Sequence, residues 1–148
     1  MIYEFCAENV TLLEKAMQAG ARRIELCDNL AVGGTTPSYG VTKAAVELAA
    51  NYDSTIMTMI RPRGGNFVYT DLEIAIMLED IRLTAQAGSQ GVVFGTLTAD
   101  KKLDKPNLEK LIAASKGMEI VFHMAFDELS DEDQLEAIDW LSQVGVTR

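Results

Sequence analysis

The stretch Arg23-Ile24-Glu25-Leu26-Cys27-Asp28-Asn29 decides the fold, because a near copy, Glu4-Phe5-Cys6-Ala7-Glu8-Asn9, stands upstream of it. Each carries Glu-x-Cys, and Cys6 and Cys27 are the only two cysteines in the chain. Both runs have the composition of β-strands, in which successive side chains point to opposite faces. Tyr3 and Phe5 then share one face, with Glu4 and Cys6 on the other. Ile24 and Leu26 share one face, with Arg23, Glu25 and Cys27 on the other. Each strand is therefore apolar on one side and charged on the other.

Working outward, short β-rich runs alternate with longer amphipathic ones. Strands are expected at 2–6, 23–27, 55–60, 91–94 and 119–123, and helices at 10–19, 41–51, 71–87, 106–115 and 131–144. Thr11-x-x-Glu14 and Thr70-x-x-Glu73 read as capping boxes, Ser130 as an N-cap, and Gly20 and Gly88 as helix stops. Residues 146–148 read as the start of a sixth strand. Strands separated by single helices imply parallel βαβ units. Length favours an open doubly wound sheet, since a (β/α)₈ barrel takes roughly 200 residues or more. Parity favours the barrel. Strands covered by helices on both faces should be apolar on both, whereas a barrel turns apolar residues outward and admits polar ones near its mouth. The third and fifth strands agree, with Met57, Met59 and Arg61, and Val121 and His123, expected to point inward. The expected fold is an α/β TIM barrel, a single domain over 1–148 carrying about the first five and a half βα units of eight. Such a chain cannot close the barrel, so it reads as C-terminally truncated.

Hydrophobic residues make up 48% of the 148 and charged residues 24%, as in a globular protein rather than a disordered one. The net charge of −9 and the scattered Lys and Arg argue against a nucleic-acid surface. No apolar run reaches the ~18 residues of a membrane span. With no export signal visible and two cysteines, the expected location is the reducing cytoplasm, where thiols stay free. A homo-oligomer is left open.

In a βα barrel the working groups gather where strands end. Cys6 and Glu8 follow the first strand, Cys27 and Asp28 the second, Arg61 and Arg63 the third, and His123 and Asp127 the fifth. Both cysteines are expected at strand ends on neighbouring strands, close in space. Two thiolates so placed suit Cu(I), with Met57 or Met59 assisting; Zn²⁺ would want four ligands and no CxxC spacing is present. The competing reading makes both cysteines small buried residues. Arg61 and Arg63 offer guanidinium forks for a phosphate or carboxylate ligand, beside Glu8 and Asp28. Equally, Arg61 could neutralise interior Glu4 and Glu25. His123, the only histidine, is a candidate general acid or base with Asp127 and Glu25, or a hydrogen-bonded interior residue.

The strings EFCAEN, RIELCDNLAVGGTTPSYG, MIRPRGGNFVY, EDIRLTAQAG, GVVFGTLT and FHMAFD, in this order over essentially the whole chain, resemble the CutC family of copper-homeostasis proteins. The resemblance implies a TIM barrel, a cytoplasmic location, a role in copper handling and Cys6 and Cys27 as Cu(I) ligands. Family members usually read His-Arg-Ala-Phe-Asp where this chain has His123-Met124-Ala125-Phe126-Asp127, which removes a cation and adds a soft sulfur. Two functions follow as expectations: Cu(I) binding in copper homeostasis, or a barrel enzyme acting on a small anionic metabolite at the mouth.

Overall fold

The computed structural model describes all residues, 1–148. Five strands, β1 (Glu4–Glu8), β2 (Arg23–Cys27), β3 (Thr55–Met59), β4 (Gly91–Phe94) and β5 (Glu119–Phe122), form one parallel sheet in the order β1-β2-β3-β4-β5. Five helices connect or follow them: α1 (Leu13–Gln18), α2 (Tyr39–Ala49), α3 (Asp71–Ala87), α4 (Lys105–Ala114) and α5 (Asp131–Gln143). A doubly wound sheet reverses its strand order at a switch point. Here spatial order follows chain order throughout, as in a barrel. The sheet also curls. Arg23 at the start of β2 reaches Glu119 at the start of β5 at 2.8 Å, although three flat strand spacings would separate those strands by about 14 Å. Residues 147–148 continue the ladder beyond β5: Thr147 N–H donates to Ile120 C=O and Phe122 N–H to Arg148 C=O. That is the pairing expected of a sixth strand beginning there.

Side-chain parity is as the sequence reads. Ile24, Leu26 and Ile56 pack outward with Leu13 and Met17 of α1 and Ala45 of α2. Val92, Phe94 and Ile120 pack outward with Ile74, Met77 and Ile81 of α3 and Leu108 and Leu111 of α4. Inside the curl, Cys27, Met57, Met59, Val93 and Val121 form a smaller cluster. Burying these side chains contributes on the order of 1.5–3 kcal/mol for each large one.

Helix ends mostly follow the expected chemistry. Thr70 and Glu73 form the full capping box of α3, and Gly88 takes the left-handed C-cap. Ser130 caps α5. The first strand and helix depart from expectation. The first helix begins at Leu13, not residue 10, and no capping box forms at Thr11; Leu12 is the N-cap, at φ 58° with no side-chain cap. The reason lies in β1, which starts two residues late and runs on through Glu8, with Asn9 N–H still donating to Cys27 C=O at 2.7 Å. Cys6 therefore sits mid-strand rather than at the strand end, opposite Glu25, while Cys27 lies opposite Glu8.

Candidate metal centre

The stagger does not separate the thiols. Cys6 and Cys27 both point into the curl, with their Sγ atoms 4.0 Å apart. Glu25 joins them from the same face of β2, its Oε1 3.7 Å from Cys6 Sγ and 3.9 Å from Cys27 Sγ. The three donors form a nearly equilateral triangle. A point equidistant from all three lies about 2.2 Å from each, close to the ~2.3 Å metal–thiolate and 2.0–2.2 Å metal–carboxylate distances of a d¹⁰ ion. No other set of three or more His, Cys, Asp and Glu donors in the chain comes together in this way. The sequence puts Glu25 and Cys27 on one face by their i, i+2 spacing, yet reading Glu25 as an acid or base, or as the partner of Arg61, missed its place beside both thiols.

Burial, and then the neighbouring Glu4 charge, push the Glu25 carboxyl above the usual carboxylate range. The cysteines share protons: the hydrogen bond from Cys27 draws the Cys6 thiol below its ordinary value, and the same bond holds the Cys27 proton more firmly. Cys6 is the exposed, more readily ionised member and Cys27 the buried one, and neither is in a disulfide. A bound cation would replace those protons.

Cys27 is roofed by backbone. Gly34, at φ +87°, passes so close that a Cβ there would fall 3.0 Å from Cys27 Sγ. Arg61 holds that roof down. Its guanidinium is 2% exposed and donates to Val32 C=O at 2.8 Å, Gly34 C=O at 2.9 Å and Gly65 C=O at 2.8 Å. Arg61 does not pair with Glu4 or Glu25. Glu4 is instead 3.0 Å from both Arg23 and Arg148. Asp28 fastens the other end of the same loop through its backbone, paired with Thr35, and Glu8 accepts from Leu30 N–H at 2.7 Å. Arg63 points elsewhere, ion-paired with Glu73 and stacked over Tyr69.

A cavity of about 890 Å³ opens beside the triangle, walled among others by Cys6, Glu25, Met59, His123, Met124 and Asp127. His123 caps a short 3₁₀ turn, Met124–Glu128, between β5 and α5. Its Nδ1 accepts from Ala125 N–H at 3.2 Å, so the neutral ring carries its proton on Nε2, which has no partner. Burial, and secondarily the Arg61 charge, lower its pKa to about 3. At neutral pH it is an uncharged donor. Asp127 is exposed and is not hydrogen-bonded to it. No helix of the chain is long and apolar enough to cross a membrane.

Known proteins share this arrangement of chain and fold. The sequence profile of the CutC family matches residues 1–148. A CutC family protein of Enterococcus faecalis is 55% identical over 148 residues, covering all of this chain and 71% of the relative. One of Streptococcus pyogenes is 51% identical with the same coverage. The crystal structure of CutC from Streptococcus agalactiae, for which copper homeostasis is the proposed role, superposes with a TM-score of 0.96 at 49% identity, over 100% of this chain and 70% of that one. A Burkholderia cenocepacia protein proposed as a lyase or mutase shares the fold alone, with a TM-score of 0.61 at 11% identity, over 98% of this chain and 57% of that one. By sequence profile and by fold, the chain belongs to the CutC family.

Proposed function

We propose that this chain binds Cu(I) in copper homeostasis, through Cys6 and Cys27. The observation that carries the reading is the Cys6–Cys27–Glu25 triangle, with an equidistant point at bonding distance from all three donors. Two thiolates are the ligands a soft monovalent ion selects, and Cu(I) accepts a low coordination number. Glu25 Oε1, within reach of the same point, is the third and harder donor beside the two thiolates. A harder ion such as Zn²⁺ would need Glu25 ionised and a fourth ligand from solvent. Competition against a chromophoric chelator under reducing conditions tests this. The native chain is expected to withdraw Cu(I) in preference to Zn²⁺. Cys6→Ser and Cys27→Ser are each expected to weaken binding by more than the ~10–100-fold that loss of an outer-shell partner costs. Equal, weak competition by all three chains would make the cysteines packing residues.

A second reading, an enzyme acting on a small anionic metabolite, is supported by the cavity and by the unpartnered Nε2–H of His123 within it. It assigns His123 the role of donor to a ligand oxygen rather than of general base. Phosphate or small carboxylates would then raise Tm of the native chain and not of His123→Asn.

A further inference from the structure

Cys27 is closed off from solvent, fully buried beneath the Gly34 backbone, so an ion bound for the pair must enter along the cavity wall that exposes Cys6. We propose that the thioethers of Met124 and Met59 form that entry route for a soft cation, an inference that rests on the copper reading above. Met59 is buried in the inward cluster with Cys27, and both it and Met124 line the cavity. Met124 stands at the rim, 40% exposed.

The two glycines of the roof show how the sulfurs are strung. A Cβ placed on Gly33 would lie 2.5 Å from Met124 Cε and 3.5 Å from Met124 Sδ. A Cβ placed on Gly34 would lie 3.0 Å from Cys27 Sγ and 3.6 Å from Met59 Cε. Consecutive Cα atoms are about 3.8 Å apart, so Met124, Met59 and Cys27 are arrayed along one two-residue strip of backbone. Thioethers hold soft ions without having to lose a proton, and less firmly than thiolates. That ranking moves an ion inward, from the exposed thioether to the buried thiolates. The remaining explanation of a methionine, filling a core gap, describes Met17 and Met77, which are buried against helices. It does not describe Met124.

The test times Cu(I) transfer from a chromophoric chelator to the full chain. Met124→Leu keeps an apolar side chain of similar volume near Gly33 and removes the sulfur. It is expected to slow transfer about tenfold, the equivalent of ~1.4 kcal/mol of barrier, with the final distribution unchanged. In a Cys6→Ser/Cys27→Ser chain, added Ag(I) is expected to shift the ε-methyl NMR signals of Met59 and Met124 and leave those of Met17 and Met77 in place. Native-rate transfer to Met124→Leu, or silent Met59 and Met124 methyls, overturns the route while leaving the cysteine pair standing. No Cu(I) uptake by the native chain overturns both.

Discussion

The two ends of the curled interior treat charge in opposite ways. At the start of the strands, Glu119, Arg23, Glu4 and Arg148 form, in that order, a line of ion pairs at 2.8–3.0 Å. Toward the strands' far ends, Glu25 has two thiols and no cation in contact, Arg61 has carbonyls and no carboxylate, and His123 Nε2 has nothing. A buried charge without a partner costs stability. Charges are paired with opposite charges where they hold the curl together and lack a counter-charge toward the strands' far ends.

The difference has consequences of opposite sign. Arg23 is the hinge of the paired end, with its side chain 11% exposed. Arg23→Ala strands Glu119 and weakens the hold on Glu4. It is expected to cost about 2 kcal/mol, seen as a fall in Tm of roughly 4–8 °C in thermal denaturation. An unchanged Tm would mean the network is ornamental.

His123 gives the next effect. Its folded pKa of about 3 lies below the ~6.5 of an unfolded histidine. The unfolded chain therefore takes up the proton first. The contribution of the neutral buried ring is fully present above about pH 6.5 and is lost as pH falls toward 3, by up to ~1.4 kcal/mol per pH unit. His123→Asn, which keeps an acceptor for Ala125 N–H, is expected to flatten this slope between about pH 6.5 and 5 in urea titrations. Parallel slopes for the two chains would contradict the assignment.

The smallest effect is at the unpaired end and reverses the first. Glu25→Gln removes a carboxyl whose ionised form is disfavoured by burial and by Glu4. It is expected to raise Tm by a few degrees at neutral pH, and a fall in Tm would place Glu25 with the paired groups.

Much of this was legible in the sequence because it rests on local rules. Parity of two on Glu25–Cys27 and Met57–Met59 placed the inward face, and Thr70, Glu73 and Gly88 marked α3 at both ends. What escaped was set by partners far along the chain. The two-residue shift of β1 depends on pairing with β2, which carries the ladder as far as Asn9. The anchoring of Arg61 depends on the path of residues 32–34 and 65, not on its own neighbours. The Glu4–Arg148 contact joins residues near the two ends of the chain, and no spacing rule reaches that far. The nearness of Cys6 and Cys27 was expected for a partly wrong reason. They meet through the stagger of β1 against β2, not because both end their strands.

X-ray absorption at the copper edge of the Cu(I)-loaded chain tests the central claim most directly. The account predicts a first shell dominated by sulfur at about 2.3 Å, lost in Cys27→Ser. A shell of nitrogen or oxygen alone, or a spectrum unchanged by that substitution, would contradict it.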